Sequence, residues 1–307
     1  MIDLLFYLIV FPGLLFTAVL GLVVGWVDRK VSARFQYRVG PPFFQNFNDF
    51  FKLLGKQTII VKDSVKSMFI SAPLVSFGTL TLLAMLIGMP LFLGEGFGGD
   101  IFVVMYLMVI HSVMVVLGGS STGNVYSSLG AGREIKLLLA DELIFIIVVL
   151  IPVVASGYEL DLTALINAQN SGAFIGSVHG VIGFIAGLLC IQAKMTMQPF
   201  DIPEAETEIV EGPLMEYSGP LLGFWKLNHF MMYVVYPFLL ILLYLGGFNL
   251  QGWGILWAFL KYLLIVVLMI ILKNTNPRLQ IDTALKFFWR ILFPLVLLGL
   301  ILAVVGV

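Results

Sequence analysis

The chain has 307 residues, 60% of them hydrophobic and only 11% charged, with a formal net charge of -1 and a mean hydropathy of +1.04. So little polar surface excludes a water-soluble globule and points to an all-α integral membrane protein embedded in a lipid bilayer. One cysteine, Cys190, excludes a disulfide and any cysteine-ligated zinc or iron-sulfur cluster built from this chain alone, so a redox centre would belong to a partner.

Apolar runs of bilayer-spanning length predict eight helices, at about 4–27, 68–93, 101–118, 137–156, 176–194, 219–246, 253–273 and 287–306. The first lacks a basic n-region and a small-residue cleavage site and is read as a retained span. After it, ARFQYRVGPP places Arg34 and Arg38 four residues apart, ahead of a Gly-Pro-Pro turn. That pattern suits a rigid loop docked on a partner protein, whereas lipid headgroups suffice for Arg29 and Lys30. Between 42 and 66, Phe43, Phe47, Phe50, Phe51 and Leu54 recur at helical spacing, while Asn46, Asn48, Asp49, Lys52 and Lys56 fall largely elsewhere. An amphipathic interfacial helix is predicted there, the competing reading being a soluble helix packed on a partner.

Before the fourth span Arg133 and Lys136 mark the membrane edge, which puts Asp141 and Glu142 about a turn inside and Glu134 beside them. An ionisable residue in a span is costly and is a functional candidate by default; an ion pair with Arg133 or Lys136 is the plainer alternative. Following the fifth span, PFDIPEAETEIVEGPLMEYSG holds Asp201, Glu204, Glu206, Glu208, Glu211 and Glu216 and no Lys or Arg. Asp201, Pro203 and Glu204 read as a helix start with a capping-box-like pair, after which Glu204, Glu208 and Glu211 would share one face. Carboxylates crowded between two spans titrate as a coupled group, which suits proton handling, against the alternative of a solvated acidic face. Lys226 and His229 in the sixth span and Lys261 in the seventh extend an intramembrane polar path; His111 and His179 read as structural. NTNPRLQID, with Arg278 and Asp282 at helical i, i+4 spacing, is a second docked loop. The sequence carries no metal-ligand spacing, phosphate loop, nucleophile motif or nucleic-acid patch.

Of the 17 Lys and Arg, eight fall between the first two spans, and every loop of the opposite parity has none. The positive-inside rule therefore places both termini outside and the loops at about 28–67, 119–136, 195–218 and 274–286 in the cytoplasm, within one membrane domain spanning 1–307. No internal repeat or matched pair of broken helices is visible, which argues against a stand-alone secondary transporter, the rival from another functional class. A purely structural scaffold is a further rival.

ARFQYRVGPP, AGREIKLLLADEL, QPFDIPEAETEIVEGPLMEYSG and NPRLQID occur in this order over residues 26–294. Together they resemble the membrane subunit that anchors the peripheral redox arm in respiratory complex I and in membrane-bound nickel-iron hydrogenases. The resemblance implies a subunit in the cell membrane with no catalytic centre or metal of its own. Its partners would be hydrogenase-like large and small iron-sulfur subunits and antiporter-like membrane subunits. Iron-sulfur clusters and a nickel-iron site, or a quinone, would sit in or with those partners. It further implies coupling of electron transfer to H+ or Na+ movement through Glu142, Asp201, Glu204, Glu206, Glu208, Glu211 and Glu216, with Asp141 and Glu134 beside them. Arg34, Arg38, Arg278 and Asp282 would face the arm. The EGP step before EYSG, and MTMQ where complex I members commonly carry a basic residue just before PFD, look more like the hydrogenase branch. The complex I branch, with its quinone channel, is the alternative.

Overall fold

The computed structural model describes residues 2–96 and 100–306. Helices α1 (Ile2–Ile9) and α2 (Leu14–Phe35) make a broken first span. The break falls at Pro12, which has no N–H for a helical bond, and at Gly13, the N-cap of α2. Next come α3 (Gln45–Leu54), α4 (Lys66–Leu93), α5 (Ile101–Ser120), α6 (Val125–Ala155), α7 (Leu162–Ala168), α8 (Val178–Lys194) and α9 (Glu206–Ile209). The order ends with α10 (Gly219–Tyr244), α11 (Gly254–Thr275), α12 (Ile281–Phe287) and α13 (Phe293–Val305), the last two joined by a π-helical turn over Phe288–Leu292.

Each expected span is helical among the described residues. Seven are long and apolar enough to cross a membrane, and α8, at 17 residues, is a shorter apolar helix. The fourth span departs from expectation, since α6 starts at Val125 and not at 137. Asn124 caps it by accepting from the Tyr126 N–H at 2.9 Å, and a polar first turn carries no apolar run to betray it.

A helix apolar on every side belongs at the centre of a bundle. That helix is α10, in which Met231 to Tyr244 are all buried. It packs on α2, α4, α8 and α11, while α6 holds α5, α8 and α13. The contact with α2 is close because Gly21 and Gly25 face it: a Cβ on Gly21 would lie 2.4 Å from the Phe230 carbonyl oxygen.

The interfacial helix is shorter than the 42–66 stretch, since helical structure stops at Leu54. Its polar face is also not wholly outward. Asn46 is 1% exposed, donates to the Leu22 carbonyl at 2.9 Å and accepts from Arg29 Nη1 at 2.7 Å, pinning α3 to α2. Asn46→Ala is expected to destabilise the assembled protein by roughly 1–3 kcal/mol, because it removes two side-chain bonds, one of them to a charged guanidinium, that tie α3 to α2. A thermal-stability assay in detergent, with the exposed Asn48→Ala as reference, checks it.

Candidate functional site

The loops carrying Lys and Arg meet at one end of the bundle, and there a cavity of about 680 Å3 opens between α2, α3 and α10. Exposed Lys52, Lys56 and Lys226 stand at its mouth, Phe50, Leu53, Trp225 and Phe230 supply apolar wall, and His111, Glu134, Lys194 and Tyr233 close its inner end. Glu204 and Glu211 also line it.

Lys194, the last residue of α8, is 6% exposed. Its Nζ lies 2.9 Å from Asp141 Oδ2 and 2.5 Å from Glu142 Oε2, and 4.7 Å from the centre of the Phe145 ring. The Glu142 contact is an aligned hydrogen bond, whereas the Asp141 oxygens meet no well-aligned donor, although the Lys194 ammonium and the Cys190 thiol both lie beside them. Asp141 and Glu142 therefore do not pair with Arg133 or Lys136 at a helix mouth. Their counter-ion comes from another helix, where the sequence shows only a basic residue ending a span.

A second ion pair, buried on its Asp28 side, likewise has no signal in the sequence. Asp28 of α2, 4% exposed, accepts from Lys273 Nζ at 2.7 Å and from the Tyr233 hydroxyl at 2.9 Å, tying α2 to α11 and α10 beside the cavity. His229 lines the cavity with its ring edge-on to Tyr233, 5.4 Å between centroids, so it joins Lys226 at the site. Lys261 does not: it donates to the carbonyls of Leu245 and Gly247 at 2.5 and 3.0 Å, beyond the opposite end of α10. His111 bonds Ser76 at 2.6 Å, and Ser76 in turn accepts from Asn228 at 3.0 Å, a buried link among α5, α4 and α10.

The acidic loop corrects the helical reading. Residues 201–205 form turns and irregular chain, and helix is confined to Glu206–Ile209 with Ala205 at its N-cap, so Asp201 is not the N-cap of that helix and Glu204, Glu208 and Glu211 share no helical face. Pro203 and the acids imitate a start signal, but their partners lie elsewhere in the chain. Asp201 pairs with Arg278, Glu208 with Arg133 at 2.6 Å, and Glu216 accepts from Asn124 at 2.5 Å. The loop is thus held to the α6 end and the α11–α12 loop by separate clasps, while Glu204 and Glu211 turn to the cavity. The Glu206 side chain lies outside what is described. Arg278 precedes α12 and goes to Asp201, so the i, i+4 pair with Asp282 does not form; Asp282 is exposed in the first turn of α12.

Glycine and proline fix the EGP step. Gly212 has φ +53°, and a Cβ there would lie 2.0 Å from the Pro203 carbonyl oxygen. Pro213 wedges between Gly119 and Gly130, and its carbonyl accepts from Ser127 Oγ at 3.0 Å. Tyr217 stacks on Phe69 with centroids 4.3 Å apart; burial pushes its hydroxyl up to about 12, so it stays protonated at neutral pH. Arg34 and Arg38 are exposed around Tyr37, which is fully exposed at a φ of 58°. Among the described residues, no group of three or more His, Cys, Asp and Glu side chains could hold a metal ion.

The pattern of the NADH dehydrogenase family matches residues 7–304. The H subunit of NADH-quinone oxidoreductase from Bacillus mycoides (strain KBAB4) is 32% identical over 304 residues, covering 94% of this chain and 90% of the relative. Its counterpart from Dehalococcoides mccartyi (strain CBDB1) is 32% identical over 313 residues, covering 98% and 86%. Among solved structures, a chain of the membrane-bound sulfane sulfur reductase, an archaeal respiratory membrane complex, superposes with a TM-score of 0.88 at 25% identity, covering 98% of this chain and 99% of that one.

Proposed function

This chain belongs to the NADH dehydrogenase family, with the H subunits of NADH-quinone oxidoreductases among its relatives, and from that premise we propose that it is the anchor and energy-coupling subunit of a multisubunit respiratory complex of the membrane-bound nickel-iron hydrogenase type. The observation that carries the reading is the buried Lys194, Asp141 and Glu142 cluster at the closed end of a cavity whose mouth lies among the basic loops. An ion cluster inside a span is expensive, and a route for charge is the reason that best repays the cost. Exposed Arg34, Tyr37 and Arg38 form a firm, positively charged surface for the peripheral iron-sulfur subunits, while antiporter-like subunits would meet the bundle laterally. Both termini then lie outside the cell membrane. The branch rests on the EGP step before EYSG and on MTMQ before PFD.

Redox turnover in the docked arm would shift the acidic loop through the Arg133–Glu208 and Arg278–Asp201 clasps. That shift would change the charge at Glu204 and Glu211, and the cavity would pass the change to Glu142. Glu142→Gln is expected to leave electron transfer near the wild-type rate and to lower ion transport per electron roughly tenfold, a typical coupling energy between sites. Reconstitution of the intact complex in liposomes measures both; unchanged transport in Glu142→Gln and Glu204→Gln together would sink the coupling reading.

One observation favours the quinone-channel alternative. The cavity pairs aromatic and aliphatic wall with a few polar groups, the lining a quinone ring would need, and Trp225, Phe230 and His229 would hold it. Competition between a short-chain quinone and electron transfer in the purified complex decides between the two.

A further inference from the structure

A small void of about 10 Å3 lies beside the ion cluster, lined by Ser112, Glu134, Leu137, Asp141, Ala193 and Lys194 among others. Glu134 and Lys194 line both this void and the large cavity, so the two spaces adjoin through that pair. Glu134 is 4% exposed; Ser112 stands within hydrogen-bonding reach of its carboxyl group, but its Oε2 is buried without a well-aligned donor. On the other wall, one ammonium serves two carboxylates, Asp141 at 2.9 Å and Glu142 at 2.5 Å.

These positions describe a cation with two stations and room between them. A buried carboxylate oxygen without a well-aligned donor is costly, and the Lys194 ammonium, which lines the same water-sized void, is a donor that would relieve it. Lysine suits such a shift: a compact charge on a flexible four-carbon stem with three rotatable donors. Arginine, with its broad planar fork, does not. The Phe145 ring, 4.7 Å from Nζ, gives the ammonium an apolar backing that favours its charge without fixing its direction.

We propose that Lys194 is a swinging counter-ion whose ammonium exchanges between the Asp141–Glu142 pair and Glu134 across this void, opening and closing the charge path between the cavity and the fourth span. The proposal rests on the coupling role inferred above. When the ammonium moves to Glu134, the Asp141–Glu142 pair loses its counter-ion and takes up one proton from water in the cavity. When the ammonium returns, the pair releases that proton towards the neighbouring membrane subunits. Nothing is oxidised or reduced in this chain, and Lys194 keeps its charge throughout, so it acts as a positioning residue.

The test uses the intact complex in liposomes, reading assembly, electron-transfer rate and ion transport per electron. Ser112→Val fills the void while keeping every ionisable group, and Lys194→Arg keeps the charge while denying the swing. Ser112→Val should keep wild-type assembly and electron transfer, and in both variants ion transport per electron should fall roughly tenfold. Ser112→Ala leaves the void open and should couple normally, which separates filling from loss of the hydroxyl. If Ser112→Val fails to assemble, Ala193→Val fills the same void from α8 and carries the same two outcomes. Wild-type transport in Lys194→Arg and the void-filling variant makes Lys194 a fixed structural ion and overturns the proposal. Should those two couple normally while Glu142→Gln does not, only the swing fails; if Glu142→Gln couples normally as well, the coupling role fails with it.

Discussion

Lys194→Met is expected to be the most disruptive substitution at this end of the bundle. It keeps the length and apolar stem of the side chain but leaves Asp141 and Glu142 without the charge that holds them. Their side chains are 2% and 19% exposed, so water offers little compensation. Breaking a buried pair from one side costs about 3–5 kcal/mol, because what remains is an uncompensated buried charge. Assembled complex should be scarce, its melting point low and ion transport lost. A double variant, Lys194→Met with Asp141→Asn, should recover part of the stability but none of the transport, since it removes charge from both sides without restoring the cation. Native-gel assembly and melting of the purified complex test the first claim, and liposome transport tests the second. Equal instability of the single and double variants would refute this account of the cluster.

Gly212→Ala is expected to come next. The left-handed backbone costs an alanine about 1–2 kcal/mol, and the Cβ would meet the Pro203 carbonyl oxygen at 2.0 Å. Relief requires backbone movement, adding roughly 1–3 kcal/mol. The displaced chain would draw Pro213 out of the notch between Gly119 and Gly130, freeing the segment that carries Glu211 and Glu216. The expected phenotype is a membrane domain that inserts normally but loses its peripheral arm in moderate salt. Gly130→Ala, whose Cβ would lie 2.6 Å from Pro213, should give the same loss from the other side of the contact. Arm retention in both variants would show that the loop tolerates displacement.

The spans are legible in the sequence because burial in lipid leaves one signal, length of apolar sequence, and α4, α5, α10 and α11 carry it without interruption. Where a helix leaves the apolar regime the signal stops, so the polar first turns of α6 are invisible although Asn124 marks their start. The acidic loop shows the limit of local rules. Asp201, Pro203 and Glu204 satisfy a start signal by type and spacing, yet Asp201 is held by Arg278 and Glu208 by Arg133, more than seventy positions away in each case. Lys194 is hidden for a related reason. A basic residue at the end of a span is what the positive-inside rule demands, and nothing nearby in the chain distinguishes a snorkelling lysine from one turned inward to Asp141. Asp28 is masked by Arg29 and Lys30, whose charges suggest only the membrane surface.

The shortness of α8 has an electrical consequence. Seventeen residues at about 1.5 Å each reach roughly 25 Å, less than the roughly 30 Å of hydrocarbon that a span must insulate. In the proposed orientation the basic loops and the cavity mouth face the cytoplasm, and a helix this short ending at Lys194 would let the cavity carry water inward to the lysine. The membrane voltage would then fall over a thinner dielectric here than elsewhere in the protein. The work of moving a charge, about 2.3 kcal/mol per elementary charge per 100 mV, is compressed into a steeper gradient that begins at the lysine itself.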